Sequence, residues 1–147
     1  MINEVLYGTG MFQVQVIDIR SEKVIETYSE KNLVVTLGKT NITKLLGGDA
    51  AGKKISQIAI GTGNIPAALT DTTLTGMFSK SISGATYPDS NSVLFTWSLE
   101  ASEGNGMTIR EFGLLNDNGV LCARKVRTDI VKTSDVRLVG SWKISIN

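Results

Sequence analysis

The sequence predicts a mainly β protein: an antiparallel β-sandwich or flattened barrel carrying one short α-helix. Three observations lead there. Two segments near the C-terminus alternate apolar and polar residues with period two. An Asn-Gly turn signal separates two apolar runs. Only one stretch shows helical spacing.

The alternating segments are Ser92–Ala101 and Asp135–Asn147. In the first, Val93, Phe95, Trp97 and Leu99 share a face opposite Leu94, Thr96, Ser98 and Glu100. In the second, Val136, Leu138, Trp142, Ile144 and Ile146 share a face, with Gly140 as a gap; Arg137, Ser141, Lys143 and Ser145 mostly oppose them. Successive side chains of a strand point to opposite faces, so this pattern marks strands resting one face on a core. Met107–Leu115 and Val120–Arg127 flank Asn116-Asp117-Asn118-Gly119 and read as a hairpin. Phe78–Tyr87 reads as a further strand, ended by the turn Tyr87-Pro88-Asp89-Ser90-Asn91. Ile55–Ile60 is a short strand ended by Gly61-Thr62-Gly63.

At the N-terminus, Met11–Arg20 and Lys23–Lys31 form an antiparallel pair around Ser21-Glu22. Phe12, Val14 and Val16 hold one phase, then Ile17 and Ile19 take the other, which calls for a bulge or for burial of both faces. The helix is expected from Leu37 to Leu46, with Thr36 as N-cap and Gly47-Gly48 as the stop. Ile42, Leu45 and Leu46 recur at helical spacing, and so short a helix must pack on the sheet. The expected core contains Ile58, Ile60, Phe95, Trp97, Leu99, Leu114, Leu121, Trp142 and Ile144.

Composition narrows the function. The 147 residues make one globular domain. A chain this long buries about 68–70% of its unfolded surface, enough for a core without disulfides or metal. Hydrophobic residues are 41% and charged residues 20%, so Gly, Ser, Thr and Asn are left to serve turns and half-exposed strands. Fifteen Lys and Arg against fourteen Asp and Glu give no electrostatic case for nucleic acid or an anionic membrane. The first residues lack the basic and long apolar regions of a secretory leader, and no apolar run approaches a membrane span. Without secretion, the Asn41-Ile42-Thr43 sequon has no meaning. Cys122 is the single cysteine, which excludes an internal disulfide and a cysteine-built zinc site. It is expected to be an inert buried thiol. Histidine is absent, which removes the usual general base, the commonest metal ligand and every Ser-His or Cys-His arrangement. No catalytic, cofactor-binding or metal-binding residue is expected, and the chain reads as a non-enzyme.

The remaining motifs favour structural readings. Gly47-Gly48-Asp49-Ala50-Ala51-Gly52-Lys53-Lys54 approaches a phosphate-binding loop in spacing. However, Lys54 replaces the metal-binding hydroxyl, and a helix precedes where a strand is required. Gly8-Thr9-Gly10 and Gly61-Thr62-Gly63 lack the third glycine and following helix of a dinucleotide fingerprint. Among Asp71, Glu100, Glu103, Glu111 and Asp117, no spacing brings two carboxylates together. Glu100 and Glu103 are expected to be solvated. Glu111 shares a strand face with Met107 and Ile109, so it is expected to be partly buried and to need a partner. Arg110 is on the wrong face, which leaves Arg124 or Arg127 across the hairpin. Trp97, Trp142 and Tyr87 are candidates for a carbohydrate platform, but both tryptophans lie on core phases. Only Tyr87, beside Pro88, is expected at the surface.

The run from Ile109 to Ala123 resembles a motif of phage tail-collar fibre domains: an Ile-Arg-Glu-x-Gly-Leu strand, a turn and a Gly-x-Leu-x-Ala return. Ile55–Gly63 is similar to that family's short strand and glycine turn. Pro66 and Thr73-Leu74 are similar to its loop, and Asn32–Leu46 to its strand followed by a small helix. The likeness covers about residues 31–147, leaving 1–30 as an N-terminal extension or hairpin whose Met1–Phe12 part is a candidate assembly arm. The resemblance implies a tail component of a virion (connector, collar, neck, baseplate or fibre base), made in a bacterial host's cytoplasm and acting through other tail, neck or baseplate proteins. It also implies a homo-oligomer, either a trimer or a hexameric ring, and no cofactor. A module binding a host receptor or glycan is the alternative. The family's chains usually continue into a shaft and receptor-binding tip, whereas this sequence stops at Asn147, which disfavours a fibre that reaches the receptor.

Overall fold

A computed structural model describes residues 8–147 and arranges them as nine strands and one helix. In chain order these are β1 (Gly8–Asp18), β2 (Val24–Val34), α1 (Thr36–Gly47), β3 (Ile55–Gly61), β4 (Phe78–Ser81), β5 (Gly84–Asp89), β6 (Ser92–Leu99), β7 (Thr108–Asn116), β8 (Leu121–Val131) and β9 (Val136–Ile146). The strands form one curled antiparallel sheet in the order β4-β3-β7-β8-β2-β1-β9-β6-β5. The mainly β flattened barrel with one short helix is therefore the fold of this chain.

Two corners close the barrel. The strands at the ends of the sheet order, β4 and β5, are separated in sequence only by Ile82 and Ser83. The Ile82 N–H donates to the Ser56 carbonyl on β3, and the next N–H, of Ser83, donates to the Thr96 carbonyl on β6. The chain thus changes partner across a bend at Ser83, which is why Phe78–Tyr87 reads as one strand in the sequence and is two in the structure. The other corner is β2. Its residues as far as Asn32 pair with β1, and only Leu33 and Val34 pair with β8, opposite Arg124 and Ala123. Beyond that point side chains bridge the seam. Lys125 pairs with Glu30 and Arg127 with Glu26, and the Arg127 guanidinium lies 4.6 Å from the Tyr28 ring centroid.

The core lies between the two halves of the curled sheet. Phe12 of β1 is at its centre, with ring centroids 4.7 Å from Phe112, 5.0 Å from Trp142 and 6.1 Å from Trp97. All nine residues expected in the core are buried. The gap at Gly140 has a definite occupant. Gly140 pairs with Trp97, and a Cβ placed on it would fall 2.1 Å from Trp97 Cζ2. The phase slip in β1 is a bulge: the register with β2 shifts between Val16 and Ile17, and both side chains are buried. The first hairpin belongs to the barrel wall, because β1 is bonded to β2 on one edge and to β9 on the other. Of the proposed assembly arm, residues 1–7 lie outside the described residues, while Gly8–Phe12 belong to β1.

The helix departs from expectation. Its N-cap is Val35, with no side-chain cap, rather than Thr36. Gly38 and Asn41 are its buried residues, whereas Leu45 and Leu46 are 47% and 76% exposed. The reason is close approach: a Cβ on Gly38 would lie 2.1 Å from the Cys122 carbonyl oxygen. Only a glycine lets the helix come this near β8. The contact face is therefore chosen by a small residue and a polar one instead of by the leucines.

Gly140→Ala should force the Trp97 indole out of its place, because the ladder fixes the backbone at residue 140 and the added Cβ would fall 2.1 Å from Trp97 Cζ2. The expected loss is about 1–3 kcal/mol of folding stability, the usual cost of overpacking a core. Urea unfolding followed by tryptophan fluorescence checks it, and a wild-type midpoint would refute the assignment.

Candidate functional site

A carboxylate inside an apolar barrel wall has to be matched by donors, because an unpaired buried charge is strongly destabilising. Glu111, on β7, is 1% exposed. Its Oε1 accepts from Arg124 Nε at 3.1 Å across the hairpin, so Arg124 rather than Arg127 is the partner. Its Oε2 accepts the backbone N–H groups of Gly63 and of Thr75, the latter at 3.1 Å. Arg124 spends its other nitrogens on Asp71 Oδ2 at 2.8 Å and the Ile65 carbonyl at 2.9 Å. Asp71 in turn accepts the Ala68 N–H at 2.8 Å.

This cluster explains the glycine turn after β3. Gly61 is in register with Glu111, and a Cβ on Gly63 would fall 2.2 Å from Glu111 Oε2. The turn is an anion cradle already filled by the chain's own carboxylate. Two of the carboxylates that no spacing linked, Asp71 and Glu111, are thus gathered by one guanidinium. Asp71 lies in a loop, where no periodicity signals its position. A groove of about 460 Å³ beside the cluster is lined in part by Asn32, Asn64, Pro66 and Arg124, but by neither of these carboxylates.

A second polar centre ties down the stretch that approached a phosphate-binding loop. Asn116 is 1% exposed; its Nδ2 donates to Asn41 Oδ1 at 3.0 Å, and its own Oδ1 accepts the N–H groups of Asn118 and Val120. Asn41 engages both main-chain groups of Lys53, accepting its N–H at 2.9 Å and donating to its carbonyl at 2.7 Å. Helix α1 precedes this stretch and β3 follows, the reverse of the order a phosphate loop needs.

Lys132 was not singled out by the sequence, since one lysine in the connection between β8 and β9 carries no pattern. It is fully buried, and its Nζ donates to Asn105 Oδ1 and the Thr133 carbonyl, each at 2.9 Å. Burial lowers its pKa, with the charges of Glu103 and Glu100 opposing. Glu103 is not simply solvated: it pairs with Lys80 at 2.6 Å, and that hydrogen bond holds its carboxyl below the ordinary range. Cys122 is buried, which pushes its thiol up to about 11. Among the described residues, no three His, Cys, Asp or Glu side chains are grouped to hold a metal, and no helix is long and apolar enough to cross a membrane.

The aromatic platform does not form. Trp97 and Trp142 are 1% and 0% exposed, while Tyr87 is 79% exposed. Tyr87 instead flanks an apolar groove of about 770 Å³ at one end of the barrel, walled by Ile42, Leu45, Val93, Phe95, Ile144 and Ile146 among others.

Glu111→Gln should cost roughly 1–3 kcal/mol, because it weakens the charge-assisted bonds to Arg124, Gly63 and Thr75 and leaves Arg124 with Asp71 as its one counter-charge. Amide exchange at Gly63 and Thr75 should accelerate more than exchange in β6 or β9; equal acceleration everywhere would argue against a local latch. The Cys122 thiol should react with a disulfide reagent at pH 8 at least about tenfold more slowly in the native protein than in urea, since the thiolate is the attacking form. Equal rates would contradict its burial.

Comparison with protein-family models, curated proteins and solved structures finds no match to this chain.

Proposed function

We propose that this chain is a structural subunit of a tailed-phage virion, part of a connector, collar, baseplate or fibre base, and that it works by protein–protein assembly rather than catalysis. One observation carries this reading. Three of the separate stretches that resemble the tail-collar fibre family, the hairpin, the glycine turn and the Thr73-Leu74 element, converge on a single buried cluster. The hairpin supplies Glu111 and Arg124, the glycine turn supplies the Gly63 N–H, and the Thr73-Leu74 element leads into the Thr75 N–H. Leu74 itself is buried with Val35, Ala59, Leu115 and Leu121. Residues that are distant in the chain but serve one spatial unit make a coherent motif, and that supports the resemblance more than any one stretch does.

The same cluster weighs against an enzyme. Asp71 and Glu111 are engaged by a guanidinium and by backbone N–H groups, which leaves neither poised for proton transfer. Burial of both tryptophans removes the stacking surface that the glycan-binding alternative needed. For assembly, the outside of the barrel offers exposed apolar side chains, including Ile25 and Val131 at 60% and 63%. A homotrimer or hexameric ring, built in the host cytoplasm and carried in the tail, is the proposed working form.

Light scattering behind size exclusion should give a discrete trimer or hexamer mass, and antibody against the chain should decorate the tails of particles released by cells carrying its gene. A monomer that persists up to about millimolar concentration, the range in which even weak contacts associate, would sink the assembly reading. Particles free of the chain would sink the virion reading.

A further inference from the structure

We propose that Lys132 and Asn105 become joined through their side chains by an isopeptide bond, which the folded chain forms on itself. Lys132 is fully buried in the connection between β8 and β9. Its Nζ donates to Asn105 Oδ1 at 2.9 Å, and its other bonds go to the carbonyls of Thr133 and Ala101. The carboxamide is held at its far side too, since Asn105 Nδ2 donates to the Ala101 carbonyl at 2.9 Å. The two backbones are locked side by side. The Gly106 N–H donates to the Lys132 carbonyl and the Lys132 N–H to the Met107 carbonyl, each at 2.9 Å. Gly104 and Gly106, at φ 66° and 87°, turn the chain on either side of Asn105.

Three features suit this pair to acyl transfer. Amine and carboxamide already lie in contact, and a nucleophile held about 3–3.5 Å from its target carbon reacts at a large effective molarity. Burial lowers the Lys132 pKa against the opposing charges of Glu103 and Glu100, which raises the share of neutral, nucleophilic amine. Asn105 is exposed, which gives the leaving ammonia a way out. The rival nucleophile in an Asn-Gly pair is the glycine nitrogen, and here the Gly106 N–H is engaged by the Lys132 carbonyl. In the reaction Nζ bonds to Asn105 Cγ and the Cγ–Nδ2 bond breaks. Counted from the ammonium form, two of the three Nζ protons leave with Nδ2 as ammonium, so no oxidant, cofactor or other reactant is consumed. The product clamps the β6–β7 connection to the β8–β9 connection. This inference stands apart from the virion reading, since the step needs only one copy of the chain.

Intact-mass spectrometry of the purified full-length chain, after prolonged incubation in the folded state, tests the inference. The mass should be lower than the sequence mass by one ammonia. Tryptic digestion should then yield a branched product joining residues 81–110 to residues 128–137, uncut at Lys132. Asn105→Ala and Lys132→Arg should each keep the full mass of their sequences and give no branched product. A full sequence mass in the wild-type chain would overturn the inference. So would loss of ammonia with Lys132 still cut by trypsin, which assigns the loss to ring closure at Asn105-Gly106. A branched product that persists in Asn105→Ala would place the bond elsewhere and overturn it as well. The wild-type chain alone gives the decisive reading, so a variant that fails to fold leaves the test intact.

Discussion

The buried Glu111 carboxylate sets the arrangement of much of one wall of this barrel. Once it is placed inside, three donors from three regions of the chain have to meet it: the Arg124 guanidinium and the N–H groups of Gly63 and Thr75. Gly61 and Gly63 are glycines because the backbone must come close enough to touch Glu111. Arg124 is drawn to it across the hairpin, and Asp71 and the Ile65 carbonyl complete the guanidinium's shell. The loop between β3 and β4 is folded down over the wall as a result, and Leu74 is carried into a second apolar cluster with Leu115 and Leu121. A purely apolar substitute at this position would free that loop. The polar network therefore specifies one conformation of a long connection that has no hydrogen-bonded ladder of its own.

That covering also decides how readable each strand is. β6 and β9 alternate cleanly because one face meets the core while the other is less covered, and their period-two pattern gives both the strands and the inward residues. In β7, Glu111 to Asn116 are all buried, since α1 and the loop cover the outer side of that half. The near-continuous run there is the mark of a strand enclosed on both faces. The hairpin is legible through its turn, and Glu111 through its phase on an apolar face, which leads to Arg124 or Arg127; the structure selects Arg124. Asp71, Lys132 and the Asn41–Asn116 contact are not legible, because each pairs residues from loops or from elements distant in sequence.

The helix and the split strand show two limits of a pattern reading. Ile42, Leu45 and Leu46 have helical spacing, yet the helix turns Gly38 and Asn41 to the sheet. Spacing measures where apolar residues are, whereas the approach to Cys122 is limited by the size of a single side chain. Phe78–Tyr87 is extended on both sides of a bend at Ser83, and its hydrogen-bond partner changes at Ile82 and Ser83. Local sequence encodes extension; it does not encode which neighbour accepts the bonds.

Two seams of the sheet are unlike in strength. Between β1 and β9 the ladder runs from Gly8 to Asp18, whereas β2 meets β8 only through Leu33 and Val34. Elsewhere along that line the contact depends on ion pairs and a stacked guanidinium, which salt weakens and main-chain ladders resist. The wall therefore has a built-in tear line. Sideways tension would part the strands first between β2 and β8 and lay open the core they share, whereas tension along the β1–β9 ladder would have to shear many bonds at once.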